Sequence, residues 1–191
     1  VRPDRIKIGT VGLAYPGVEV RLAEDGEILV RAGHVFAGYY KDPDLTREAV
    51  DADGWLHSGD IGRLDADGFL TIVDRKKDIL ITAGGKNISP SNLENALRHR
   101  PLISQAMVHG DRQKFLSALI TLNWTAVEDF AKKEGIGFSG PEDLAQNGRV
   151  RDLIQSEIDA ANGSLSRFET IKRFAILPCD FSMEAGELTP T

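Results

Sequence analysis

The stretch DRKKDILITAGGKN, residues 74–87, separates two differently built regions of this chain. Five charged residues at 74–78 come first, followed by an apolar run and then by two adjacent glycines. From the residues alone, the charged cluster fits a solvated hairpin turn, an anion-binding site or a bend in the chain. Few Gly, Ser and Pro residues lie at this boundary, so the sequence does not indicate a flexible linker. A hinge of one or two residues is compatible with it.

The region before this stretch is predicted to be rich in β-structure. Asp25-Gly26 is a hairpin signal between two strand patterns. Thr46 is predicted to cap a short helix over 47–50. The segments with strand patterns are residues 16–22, 26–32 and 68–75.

The region after it is predicted to mix helices and strands. Ser89-Pro90 has the pattern of a helix start, with serine as the cap and proline at the first helical position. Gly135 predicts the end of a later helix. The predicted helices lie at residues 90–98, 124–134 and 150–161, and the predicted strands at 78–82, 104–109, 115–123 and 171–177. The fold class is therefore α+β, a β-rich segment followed by a mixed one.

The composition argues against several classes of protein. The 191-residue chain has a net charge of −6 and a pI near 5.3, which disfavours a nonspecific nucleic-acid binder. It lacks a signal-peptide pattern and an apolar run of the roughly 18 to 20 residues that a membrane helix needs, so a cytoplasmic location is expected. The single cysteine, Cys179, excludes an internal disulfide and is expected to be a small buried hydrophobe. The four histidines are scattered, and no metal site is predicted.

The segment WLHSGDIG, residues 55–62, contains a candidate for binding sugar hydroxyls. Asp60 lies between glycines, and a carboxylate there suits the vicinal hydroxyls of a ribose. A β-turn aspartate that caps its own backbone explains the same residues and is favoured by composition alone. Arg75 has a planar fork of donors suited to sugar or phosphate oxygens. A solvated hairpin is the alternative there.

The order of these motifs is more specific than any one of them. Residues 26–95 closely resemble the second half of adenylate-forming enzymes, most strongly the long-chain fatty-acyl-CoA synthetases, and residues 165–191 resemble the tail of that subfamily. The resemblance implies three parts. Residues 1–74 form the β-rich end of a large AMP-binding domain (its distorted barrel subdomain), 75–78 form a hinge, and 79–191 form a mobile α+β C-terminal domain.

The resemblance also implies a two-step reaction. ATP, with Mg²⁺, and a long-chain fatty acid give acyl-adenylate and pyrophosphate, and coenzyme A then displaces AMP to give acyl-CoA. Asp60 and Arg75 match positions that contact the ribose, and Lys77 matches the hinge. The resemblance implies no role for Lys76, which is therefore interpreted as a solvated turn residue.

The glycine-containing loop matches positions that meet coenzyme A. Ala83, Gly84 and Gly85 match the pantetheine path, and Lys86 matches a basic position near the phosphates or coenzyme A. Without the resemblance, Gly84-Gly85-Lys86 lacks the spacing of a phosphate-binding P-loop and indicates only a tight turn.

The family's phosphate-binding loop and Tyr-Gly-x-Thr-Glu motif do not occur in this sequence, and its adenylation lysine is expected just beyond Thr191. The chain is therefore expected to be an inactive fragment with no catalytic residue of its own. Two alternatives stay open, namely a fatty-acyl-AMP ligase that delivers to a carrier protein and a non-enzymatic docking module with the same fold. Peripheral membrane association, oligomeric state and acyl chain length are also left open.

Overall fold

The computed structural model describes residues 6–189, and the chain divides into two compact units, one ending at Ile79 and one beginning at Leu80. The first unit is a four-stranded antiparallel sheet whose strands follow one another in chain order. The strands are β1 (Val18–Leu22), β2 (Glu27–Ala32), β3 (Leu56–Leu64) and β4 (Leu70–Arg75). The predicted hairpin signal between β1 and β2 is confirmed, because Gly26 has a φ of +87° that glycine tolerates.

Strand β3 was not predicted, because Gly59 and Gly62 weaken its strand pattern. The structure shows why glycine is needed at Gly62, since a Cβ there would lie 2.6 Å from the side chain of Ile28. The sheet register shifts between Ile61 and Gly62, which marks an irregularity beside Asp60. Strand β3 therefore packs its backbone closely against β2.

The short helix α1 (Pro43–Ala49) begins earlier than predicted. Asp42 is its cap, and its carboxylate accepts a hydrogen bond from the backbone N–H of Leu45 at 2.9 Å. The predicted cap, Thr46, is wrong, because Thr46 lies inside the helix and its hydroxyl donates to the Asp42 carbonyl. Asp42-Pro43 is the stronger start signal, since proline fits the first helical position.

The charged cluster does not form the solvated hairpin that was one interpretation of it. Strand β4 pairs with β3, whereas β5 (Leu80–Ile81) pairs with β6 (Asn87–Ile88), so the two strands flanking the cluster lie in different sheets. Between them, Lys76–Asp78 form a single 3₁₀ turn. The chain therefore bends at this cluster.

The second unit places helices against a three-stranded sheet of β7 (Ile103–His109), β8 (Leu116–Leu122) and β9 (Ile171–Leu177), in that order. Strand β8 is antiparallel to β7 and parallel to β9. The helices are α2 (Pro90–Arg98), α3 (Trp124–Lys133), α4 (Pro141–Gln146) and α5 (Gly148–Asn162). The predicted start at Ser89-Pro90 is confirmed, because the Ser89 hydroxyl accepts from the Asn92 N–H at 3.3 Å.

A continuous apolar core holds the second unit together. Four fully buried side chains show how many elements contribute to it. They are Leu97 of α2, Ile120 of β8, Val127 of α3 and Ile154 of α5. Cys179 lies outside this core and is exposed, so the expectation of a buried cysteine is wrong. It follows the end of β9, where the chain leaves the sheet.

The fold class is α+β, as predicted. Within residues 6–189, no helix has both the length and the apolar character needed to cross a membrane.

Candidate functional site

Two of the predicted site residues, Asp60 and Arg75, form a pair across the sheet of the first unit. The antiparallel register of β3 and β4 places them directly opposite each other. Arg75 Nη1 donates a hydrogen bond to Asp60 Oδ1 at 3.0 Å. The favoured turn interpretation of Asp60 is wrong, because Asp60 lies within a strand and its carboxylate binds a cross-strand cation.

The pair stays accessible to a ligand. The Arg75 side chain is 58% exposed and that of Asp60 is 24% exposed. An ionised carboxylate only accepts hydrogen bonds, whereas a guanidinium only donates them, so the two together match both functions of a sugar hydroxyl. The site therefore suits a hydroxyl-bearing ligand.

Glu27 is a buried carboxylate that sequence analysis missed. It begins β2 and is 4% exposed. One oxygen accepts from the Gly59 backbone N–H at 3.0 Å, and the other accepts from Lys76 Nζ at 2.9 Å and lies 3.1 Å from His57 Nδ1. Burial acts to raise the pKa of Glu27, but the hydrogen bonds from Lys76, His57 and Gly59 outweigh it and hold the pKa below its usual value.

Lys76 is not the freely solvated turn residue that its position predicted. Its ammonium lies 2.7 Å from Asp25 and 2.9 Å from Glu27, although the side chain is 47% exposed. Hydrogen bonds to Asp25 and then Glu27 raise the pKa of Lys76. The partners lie about 50 residues earlier in the chain, and no local pattern of sequence signals such a contact.

An open cavity of about 320 Å³ adjoins these groups and is lined by Ser58, Gly59, Arg75, Lys76 and Lys77. Three of the lining side chains are cationic, which favours an anionic ligand. Within residues 6–189, no ion pair involves Lys77.

The remaining predicted residues lie in the loop between β5 and β6 of the second unit. Gly85 has a φ of +70°, and its N–H donates to the Thr82 carbonyl at 2.8 Å to close the turn. A Cβ at Gly84 would meet only Thr82 Oγ1, at 3.9 Å, and nothing would lie within 4 Å of a Cβ at Gly85. The space beside this loop is therefore open.

Hydrogen bonds to the segment 111–113 hold the loop in place, and the sequence analysis did not predict them. Asp111 Oδ1 accepts from the Ile81 N–H at 3.0 Å, and the Gln113 carbonyl accepts from the Ala83 N–H at 2.9 Å. On the other side, Lys86 Nζ lies 5.8 Å from the centre of the Phe168 ring. Such a distance allows a weak cation–π contact.

No cluster of three or more His, Cys, Asp or Glu side chains suited to a metal ion occurs in the part of the chain that the structure describes. The predicted residues thus form two groups. Asp60, Arg75 and Lys77 belong to the first unit, and residues 83–86 belong to the second.

Comparison with known proteins gives consistent similarities. Residues 77–189 match the family model described as the AMP-binding enzyme C-terminal domain. The chain is 48% identical over 187 residues to the long-chain-fatty-acid–CoA ligase FadD15 of Mycobacterium tuberculosis, covering 97% of this chain and 31% of that protein. It is 38% identical to the long-chain-fatty-acid–CoA ligase ACSBG1 of Mus musculus, covering 99% of this chain and 29% of the relative. The chain thus spans about a third of the length of these curated relatives.

Solved structures of adenylate-forming enzymes resemble it as well. The O-succinylbenzoate coenzyme A synthetase of Bacillus subtilis, solved with ATP and magnesium ion, matches with a TM-score of 0.62 and 25% identity, over 90% of this chain and 33% of that one. The adenylation domain of a Mycobacterium chelonae carboxylate reductase shares the fold with a TM-score of 0.70 at 22% identity, over 94% of this chain and 30% of that one.

Proposed function

Because the chain belongs to the AMP-binding enzyme C-terminal domain family, we propose that it is part of a long-chain fatty-acid–CoA ligase. The enzyme activates a fatty acid with ATP to acyl-AMP and then transfers the acyl group to coenzyme A. The 48% identity to a ligase of that name, which extends over 97% of the chain, supports this substrate class. The observation that carries the proposal is the accessible Asp60–Arg75 pair.

In this proposal, Asp60 and Arg75 bind the ribose of the nucleotide. The carboxylate accepts hydrogen bonds from the two vicinal hydroxyls, and the guanidinium orients the carboxylate and donates to a ligand oxygen. Mg²⁺ enters with the triphosphate of ATP. Lys86, in the second unit, contributes positive charge toward phosphate groups of ATP or coenzyme A.

Residues 75–78 act as the hinge between residues 1–74 and the mobile domain of residues 79–191. Lys77 is the residue whose backbone angles change between the two half-reactions, as is usual for hinges of a few residues. Ala83, Gly84 and Gly85 line the path of the pantetheine chain. The open space around both glycines supports that role.

The experiment is to separate the two half-reactions in the full-length protein that carries this chain. ATP–pyrophosphate exchange with a long-chain fatty acid measures adenylation, and chromatography of the thioester measures transfer. We expect fatty-acid-dependent exchange and acyl-CoA. Absence of exchange would contradict the proposal, and transfer only to a phosphopantetheine-bearing carrier protein would instead identify a fatty-acyl-AMP ligase.

The 191-residue chain alone should form no acyl-adenylate, because it spans about a third of the relatives' length. Acyl-AMP from the purified chain would contradict this. We place the enzyme in the cytoplasm, because the single cysteine of this chain suits a reducing compartment.

A further inference from the structure

We infer that Glu27 is a positioning residue that anchors Lys76 and the Gly59–Asp60 backbone, so that hinge motion begins at Lys77. The inference rests on the proposed function, because the hinge is part of it. Glu27 itself lies on β2, away from the hinge in sequence, and none of the roles proposed above belongs to it.

Glu27 joins three segments, because its oxygens contact His57, the Gly59 N–H and the Lys76 ammonium within 2.9 to 3.1 Å. Gly59 directly precedes Asp60, and Lys76 directly follows Arg75. One side chain therefore links the Gly59 backbone, just before Asp60, to the Lys76 ammonium, just after Arg75.

Breaking these contacts is costly because the carboxylate is buried. The Glu27 side chain is only 5% exposed, so water cannot replace a lost partner easily. A buried carboxylate that loses its cation is strongly disfavoured. Lys76 is therefore held to the first unit even though half of its own surface is exposed.

The two neighbouring lysines of the turn differ in their contacts. Lys76 and Lys77 belong to the same 3₁₀ turn, but only Lys76 has ion-pair partners among residues 6–189. A change in backbone angles is expected to begin at the first residue that no such contact holds in place. The structure thus gives a physical reason for the hinge to lie at Lys77 instead of Lys76.

Lys7 supplies a matched control. Its side chain is 48% exposed, against 47% for Lys76, and it also meets two carboxylates, Asp65 at 2.5 Å and Asp67 at 3.8 Å. Both of its partners lie in the turn after β3, and neither is buried. Replacing Lys7 removes a similar surface ion pair without touching the Glu27 contacts.

The test measures both half-reactions of the full-length enzyme in single turnover for Lys76→Met, Lys76→Arg and Lys7→Met. We expect Lys76→Met to slow thioester formation about fivefold more than it slows adenylation, as for coupled charged neighbours. Lys76→Arg should restore most of the rate, and Lys7→Met should change neither step. Wild-type rates in Lys76→Met, or equal slowing by Lys7→Met, would overturn the inference.

A second measurement does not depend on activity. In the 191-residue chain, the exchange rate of the Gly59 amide hydrogen should rise several-fold in Glu27→Gln, because a neutral acceptor binds more weakly than a carboxylate. Glu19→Gln, on the neighbouring strand β1, is the control and should leave that rate unchanged. An unchanged Gly59 rate in Glu27→Gln would overturn the anchoring. If the wild-type enzyme makes no acyl-CoA, the proposed function fails, and this exchange rate alone decides whether Glu27 positions the backbone.

Discussion

The two units differ in the interactions that stabilise each of them internally. The first has a small set of buried apolar side chains, Ile28, Leu29 and Trp55, and relies on charged contacts such as those of Glu27. The second has a continuous apolar core drawn from four helices and a sheet. The proposed ribose contacts accordingly use side-chain charges in the first unit, whereas the proposed pantetheine contacts use open backbone in the second. The largest effects of substitution should therefore fall on chemistry in the first unit and on stability in the second.

The largest effect is expected from a cavity in the second unit. Ile154 is fully buried, so Ile154→Ala should lower the free energy of unfolding by about 3 to 4 kcal/mol. Chemical denaturation followed by Trp124 fluorescence in a Trp55→Phe background measures it. Met107→Ala, at a position 43% exposed, is the control and should cost far less. Equal losses in the two variants would contradict the assignment of this core.

The next effect concerns the nucleotide contacts of the first unit. In the full-length enzyme, Asp60→Ala should reduce ATP-dependent adenylation by roughly 30- to 100-fold, as expected for losing charged hydrogen bonds worth about 2 to 3 kcal/mol. Pyrophosphate exchange at varied ATP measures the change. Asp53→Asn, in the turn before β3, should leave exchange near wild type. Normal exchange in Asp60→Ala would rule out the ribose contact.

A smaller effect is expected at the loop of the second unit. Asp111→Ala removes the acceptor of the Ile81 N–H and should cost about 1 kcal/mol of local stability. Hydrogen exchange at Ile81 should accelerate, and thioester formation should slow by less than adenylation does in Asp60→Ala. Asp111→Asn keeps an acceptor and should behave nearly as wild type. If both variants matched the wild-type exchange rate, Asp111 would not support this loop.

The smallest effect is a difference in acid sensitivity. The pKa of Glu27 in the folded chain lies below its ordinary value of 4.5, so its ionised form stabilises the first unit above that pH. This contribution is lost as the pH falls through the lowered pKa. Trp55 fluorescence in a Trp124→Phe background reports the first unit alone, and Glu27→Gln should flatten its stability as the pH falls below 4.5. An identical pH profile in Glu27→Gln would contradict the role of this carboxylate.

Local patterns predicted much of the fold. The Ser89 cap and the strand at 171–177 are set by neighbouring residues, and both are confirmed. Strand β3 was missed because Gly62, which a close approach to Ile28 requires, resembles a loop residue. A contact between distant residues explains the error at Lys76. The pairing of Lys76 with Glu27 joins residues 49 apart, and no spacing rule in the sequence signals it.

The measurement that tests this account most directly is the ratio of the two half-reactions in Lys77→Pro, compared with Lys77→Ala in the same full-length enzyme. Proline fixes φ at residue 77, whereas alanine leaves it free. We expect Lys77→Pro to keep adenylation near the wild-type rate and to slow thioester formation by about tenfold or more, as gating by a hinge implies. Lys77→Ala should keep both. Wild-type rates for both steps in Lys77→Pro, or equal slowing of the two steps, would contradict the division between an anchored nucleotide site and a moving domain.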